Sequence, residues 1–286
     1  MKEKLHKPKL MMALAMAIFG TLGPFTRNIA VSSGELAFYR AVMASLMIGG
    51  FLLLTGQKLH LKELGKDLIL LLLSGVAMGF NWILLFQAYQ YTTISIATLS
   101  YYFAPVIVTI ASPILFREKL TKKGIVCFLM STVGMGLIIG KGGGGENNFI
   151  GILYGLGAAV LYATVILLNK TIKKVAGIHR TFLQFVAAAV VLLPYVLLSS
   201  GVQLSLLDST GWVCLLVVGI VHTGITYCLY FTSLKDISGQ QAAILSYIDP
   251  LVAVLVSLVV LQEAMTPLQI LGGVLILGFT LWNEKE

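Results

Sequence analysis

The chain has 286 residues, of which 58% are hydrophobic and only 11% charged, against about 25% charged in a soluble domain. Its mean hydropathy of +0.93 leaves no room for a separate water-soluble domain, which excludes soluble catalytic and nucleic-acid-binding functions. The formal net charge of +8 matches the Lys and Arg that membrane proteins gather in their cytoplasmic loops, so it does not call for an acidic partner.

The apolar runs predict an all-α integral membrane protein with ten transmembrane helices, at 10–31, 34–55, 67–90, 94–116, 121–140, 149–172, 178–200, 209–234, 238–261 and 266–282. Each has about the length that a bilayer core requires, roughly 20 residues. The basic start could pass for a signal peptide, but the apolar run from Leu10 to Val31 is too long for a signal core and predicts a retained first helix. The stretch from Lys58 to Asp67 is polar and reads as a link. Gly142 to Gly145 followed by Glu146, Asn147 and Asn148 reads as another, since no helix tolerates such a glycine run. No P-loop lysine and hydroxyl follow these glycines, so a phosphate cradle is not expected. Cys127, Cys214 and Cys228 lie inside apolar runs and read as small core residues rather than a disulfide framework or a metal site.

Orientation follows from the basic residues. With the N-terminus in the cytoplasm, Lys141 is the only Lys or Arg in an outward-facing link, and Arg27 and Arg40 lie in spans near their outer ends. All the others fall on the inner side. This asymmetry predicts a multi-pass protein of the plasma (inner) membrane with both termini cytoplasmic.

The two halves of the sequence repeat. Ala97 to Pro105 (ATLSYYFAP) matches the stretch ending at Pro250 (AAILSYIDP) at an offset of 145 residues, as Glu118 matches Glu263 and Thr121 matches Thr266. Gly75 matches Gly219 and Phe38 matches Phe182 at 144, and Arg27 matches Lys170 at 143. Each repeat holds five helices, an odd number, so the second copy enters the membrane upside down. Inverted repeats can rock about a central site and so expose it to each side in turn. The alternative is a duplication retained in a structural protein.

Two five-helix repeats resemble the EamA-like family of the drug/metabolite transporter superfamily when each carries a central proline span ending in an acidic residue and threonine. Here those ends are Phe116-Arg117-Glu118-Lys119-Leu120-Thr121 and Leu261-Gln262-Glu263-Ala264-Met265-Thr266, each followed by a Gly-rich last helix. The resemblance spans essentially the whole chain: residues 1–141 as the first repeat, 142–148 as the linker and 149–286 as the second. It implies a central cavity lined by helices one, three, four, six, eight and nine, and substrates such as amino acids, amines or nucleosides.

Asp249 is the only acidic residue well inside a predicted span. A carboxylate facing lipid costs about 2.5–3.5 kcal/mol on insertion scales, so Asp249 is expected to face the cavity as a proton site or a partner for a cation. A structural hydrogen bond is the alternative. Pro250 beside it, and its counterpart Pro105, each remove a helical hydrogen bond and are candidate hinges. His222 lies at similar depth in the eighth span, either sharing a proton with Asp249 or bonding a neighbouring helix. Asn81, Trp82, Tyr101, Tyr102, Tyr162, Tyr227 and Tyr247 bring polar-edged groups to mid-depth, where a ligand cavity explains them better than the interfacial preference of Tyr and Trp. Aromatic walls with one carboxylate suit an amine through cation–π contact. Arg40 is expected to pair with Glu35 or a backbone carbonyl rather than with a substrate carboxylate, and Glu118 and Glu263 to act as helix-end groups.

These readings predict a secondary transporter, an exporter or exchanger of a small polar metabolite, most simply an amino acid or related amine. A cationic drug or quaternary ammonium exporter is the second reading. No Walker motif is present, so ATP is not the expected energy source, and no cofactor or metal is called for. An intramembrane enzyme would need clustered acids or His, and a channel a ring of charge or carbonyls; neither pattern is visible. The expected partners are a small-molecule substrate, the lipid bilayer and protons as a coupling ion, in a monomer or weak homodimer, with no nucleic acid.

Overall fold

A computed structural model describes residues 2–57, 64–116, 122–139, 146–172, 174, 175, 177–199, 201–234 and 245–284. These residues form ten helical bodies. α1 runs Lys2–Gly20 and, after a bend at Thr21, Leu22–Arg27. α2 is Ser33–Leu54, α3 Lys66–Tyr91, and α4 Ile94–Tyr101 followed by Ala104–Phe116. α5 is Lys122–Ile139, α6 Glu146–Thr171 and α7 Gly177–Ser199. α8 comprises Ser209–Leu216, Val217–Ile225 and Thr226–Leu234, α9 is Ile248–Val259 and α10 Pro267–Glu284. Seven of the bodies are long and apolar enough to cross a bilayer, and Ile248–Val259 and Pro267–Trp282 are shorter apolar helices. Exposed leucines such as Leu54, Leu198 and Leu53 cover the outside of the bundle, the surface that lipid would solvate. The Gly142–Gly145 link, Glu118 and Thr121 lie outside the described residues.

The first helix ends at Arg27 rather than Val31 because a cap for the next helix begins at Ser32. The Ser32 hydroxyl accepts from the Glu35 backbone N–H, and the Glu35 carboxylate accepts from the Ser32 backbone N–H at 3.2 Å, a reciprocal capping box. The fourth span, expected as one helix over 94–116, is broken at Tyr102–Phe103. Pro105 cannot donate to a carbonyl one turn back, so the chain leaves the α path just before it. The ninth span interrupts at the equivalent place: residues 245 and 246 are helical, Tyr247 is a turn, and the helix resumes at Ile248. Pro250 therefore sits in the first turn of α9, where a missing N–H leaves no intrahelical bond unmade, and not in mid-helix as expected from the sequence.

Packing follows the repeat. α3 lies along α6 as α1 lies along α8; α4 packs on α6 as α9 packs on α1; α3 packs on α7 as α8 packs on α2. Of the other principal contacts, α2 with α7, α4 with α9 and α5 with α10 join repeat-related helices to each other, and α2 packs on α3 within the first repeat. The close approaches use paired glycines. A Cβ on Gly75 would stand 2.6 Å from Ala187 Cβ, and one on Gly219 would stand 3.0 Å from Met43 Cβ. Met43 and Ala187 are themselves 144 residues apart, as are Gly75 and Gly219, so the same helix contact is built twice.

One irregularity breaks this correspondence. The repeat offset is 144 at Gly75 and Gly219 but 145 from Gly79 and Gly224 onward, so the second copy has gained a residue inside Val217–Ile225. That stretch is wound as a π-helix, the form a helix takes when it absorbs an inserted residue, and one often found at functional sites.

Candidate functional site

Asp249 lies in the first turn of α9, where the helix dipole favours a carboxylate. Gly20 lets the α1 backbone come against it, since any Cβ there would lie 2.6 Å from the Asp249 carbonyl oxygen. The Tyr102 hydroxyl, at the break in α4, donates to Asp249 Oδ2 at 2.7 Å. The two repeat-related helix breaks thus meet face to face, one presenting a carboxylate and the other a phenol. Asp249 remains half-buried, and so do Tyr101, Tyr102 and Tyr227; in the middle of a helical bundle such surfaces border a space between helices.

Aromatic rings cluster next to the Tyr102–Asp249 contact. Tyr101 stacks on Tyr162 with ring centroids 5.1 Å apart and stands edge-on to Tyr102 at 5.8 Å. Tyr227 meets Phe19 at 5.0 Å and Phe185 at 5.1 Å, with Tyr230 beyond it.

The π segment of α8 anchors Arg40. Its wider turn leaves carbonyls that local side chains reach five residues back: Thr223 donates to Val218 O at 2.8 Å and Thr226 to Val221 O at 2.6 Å. Having donated its proton, the Thr223 hydroxyl accepts from Arg40 Nε at 2.6 Å. The Arg40 guanidinium lies over Trp82, 4.6 Å from the ring centroid, and near Phe86 at 5.7 Å, an electrostatically favourable seat for a cation. The expected pairing of Arg40 with Glu35 does not occur. Glu35 is instead taken up by its cap, by the Tyr39 hydroxyl at 3.2 Å and by the Gln203 backbone N–H at 2.6 Å.

His222 is buried beside Phe25 and faces Thr21 of α1. The Thr21 hydroxyl donates to Ile18 O at 2.8 Å, so it accepts from His222 Nε2 at 3.0 Å. A neutral ring then has no proton on Nδ1 for the Val217 carbonyl 3.3 Å away, and a second ring proton would complete that contact. The expected His222–Asp249 pair is not formed; Tyr102 is the partner of Asp249, and Thr21 and Val217 are those of His222.

Of the other expected site residues, Trp82 is buried and forms the seat of Arg40. Asn81 is buried and donates to Ala158 O at 2.6 Å, tying α3 to α6. Tyr247 is buried at the interruption preceding α9. Glu263 is a helix-end group: it accepts from Ile94 N at 2.9 Å, bonds Ser257 and forms an ion pair with Arg27. Arg27 also donates to Thr92 O at 3.0 Å. This cluster joins α1, α3, α4 and α9 at one end of the bundle.

Sequence reasoning weighed Arg40 against a substrate carboxylate and set it aside, and it left out Tyr230, whose ring lies 6.5 Å from that of Tyr227. The capping box held the signal for Arg40. Counted from Ser32, Arg40 is about two helical turns, or roughly 10 Å, into α2, where it is buried on Trp82.

The pattern of the EamA-like transporter family matches residues 7–140 and again 149–283. An uncharacterized transporter, YxxF of Bacillus subtilis (strain 168), is 32% identical over 251 residues, covering 87% of this chain and 80% of the relative. An uncharacterized transporter of Archaeoglobus fulgidus is 29% identical over 277 residues, covering 95% and 94%. A protein of known crystal structure superposes with a TM-score of 0.66 at 18% identity, covering 97% of this chain and 96% of that one, a likeness of fold alone. With both halves of the chain matched, the protein belongs to the EamA-like transporter family, within the drug/metabolite transporter superfamily, and is a multi-pass membrane transporter rather than an enzyme.

Proposed function

We propose that the protein is a secondary transporter, an exporter or exchanger, that moves an amino acid or related amine by alternating access between two inverted repeats. The observation that carries this reading is the carboxylate of Asp249 at the meeting point of the two helix breaks, half-buried and bonded by Tyr102 beside the Tyr101–Tyr162 stack. A carboxylate at that depth is costly unless it serves a proton or a cationic group. The packing supports the inversion, since exchanging the five-helix halves maps one set of contacts onto the other, and five helices per repeat reverse the second copy.

Alternating access needs a closure at each end of the site. The Arg27–Glu263 cluster is the closure at the end where α1 finishes, the outer end if both termini are cytoplasmic. Its repeat counterpart on the inner side is Lys170, whose ammonium lies 4.5 Å over the Phe116 ring. Asp249, and His222 with its unfilled Nδ1 contact, are the groups able to take up a proton during the cycle.

A quaternary ammonium or cationic drug is the second reading, favoured by the tyrosine rings around a single carboxylate. Counterflow into proteoliposomes tests both. Vesicles loaded with unlabelled substrate should accumulate labelled amino acid saturably on the first reading, or labelled choline on the second. Saturable counterflow of none among amino acids, choline, polyamines and nucleosides would contradict the transport proposal.

A further inference from the structure

We propose that Arg40 and Asp249 form the two ends of a site for a zwitterion, Arg40 holding the carboxylate and Asp249 the ammonium group of an α-amino acid. This deepens the transport reading above and rests on it.

Arg40 is 3% exposed and lies about two turns into a membrane helix. Its Nε is satisfied by Thr223 and its face by Trp82. Among the described residues neither terminal nitrogen is hydrogen-bonded, and no carboxylate forms an ion pair with it. A buried cation without an anion is strongly unfavourable, and the free edge of a guanidinium is a fork that fits a carboxylate with two parallel hydrogen bonds. Asp249 is the complement: Oδ2 is engaged by Tyr102, and Oδ1 has no hydrogen bond among the described residues. The two charges form no ion pair; the rings of Trp82, Phe185, Tyr227 and Phe19, each 5.0–5.5 Å from the next, run from Arg40 to the α1 backbone that abuts Asp249. A ligand carrying both charges would satisfy both ends at once. A simple cation would pair with Asp249 and leave Arg40 unmatched and repulsive.

The repeat shows that neither charge is needed to build the fold. The counterpart of Asp249 is Ala104. The counterpart of Arg40 is Gln184, whose amide donates to Ser74 Oγ at 2.7 Å and Asn169 Oδ1 at 2.8 Å. The neutral copy is thus satisfied within the protein, while the charged copy is held by its Nε and left open at its tip. The hydroxyl that holds it, Thr223, stands on the π segment, where the second repeat carries its extra residue. The Arg40 charge and the inserted residue thus fall at the same place.

The test uses the purified full-length protein in detergent. Thermal-shift titration with the twenty proteinogenic L-amino acids selects the tightest; its decarboxylated amine, its deaminated acid and its methyl ester are then compared. The expected result is that amine, acid and ester each bind about tenfold or more weakly than the amino acid. Arg40→Gln should erase the preference over the amine and the ester, and Arg40→Lys should retain part of it. The ester comparison needs no variant and stands if Arg40→Gln fails to fold. The inference is overturned if no amino acid stabilises the protein, if amine or ester binds as tightly as the amino acid, or if a folded Arg40→Gln keeps the wild-type ratio. Choline or polyamine counterflow without amino-acid binding would sink the zwitterion site and leave transport standing; no counterflow of any of these compounds would remove the transport reading as well.

Discussion

Asp249 and Asn81 separate two roles that a polar side chain can have inside a membrane protein. Asn81 is buried and engaged by the Ala158 carbonyl, so it ties helices together. Hydrogen bonds of this kind contribute about 0.6 kcal/mol on average and up to about 1.7. Asn81→Ala should lower unfolding stability in detergent by that amount while leaving the transport KM unchanged; a large change in KM would place the amide in the substrate path instead. Asp249 keeps one oxygen free and borders the aromatic space. Asp249→Asn preserves size and can still accept from Tyr102, so the protein should fold and insert normally but lose concentrative and pH-dependent uptake. Unchanged rate, affinity and pH dependence in that variant would mark Asp249 as structural. The sequence made Asp249 legible because a lone acid in an apolar run is chemically anomalous. It did not distinguish Asn81 from the lining residues, because that depends on which way a side chain faces around a helix whose neighbours are unknown. It also gave Arg40 the wrong partner, because Glu35 is near in sequence but is consumed by the cap at Ser32.

The helices themselves were readable from hydropathy, although the first begins eight residues before its predicted start at Leu10 and ends four before its predicted end at Val31. The π segment was not, because its cause is a one-residue difference between copies that shows only when Gly79 and Gly224 are set against Gly75 and Gly219. The glycine contacts give a differential prediction. At Gly75 a methyl group would meet the Gln184 backbone oxygen at 2.5 Å, an atom that moves only if α3 and α7 separate. At Gly219 the nearest atom is the end of Met43, a flexible side chain able to turn away. Gly75→Ala should therefore cost about 1–3 kcal/mol, measured as midpoint shift in detergent unfolding. Gly219→Ala should be much milder, since only the Met43 side chain has to move. Equal costs at the two sites would contradict the packing described for this pair.

At the scale of the whole molecule, the two copies are close enough to pack alike and different enough to do chemistry. The fold was legible because duplication leaves matched motifs such as Ala97–Pro105 and Ala242–Pro250. The position of the site was legible only in outline, because it is assembled from the places where the copies differ. Orientation is independently testable: with Cys127, Cys214 and Cys228 replaced, Asn147→Cys should react with an impermeant thiol reagent outside intact cells, and labelling only after lysis would reverse the topology. The central claim is that the site opens to one side only when the other is closed. Its most direct measurement joins Arg27→Cys to Glu263→Cys with a short, reducible thiol cross-linker in the same cysteine-free background. Counterflow in proteoliposomes should stop on cross-linking and return on reduction, because the Arg27–Glu263 end must part once in every cycle. Counterflow that continues at the full rate through the cross-linked protein would contradict alternating access at this site.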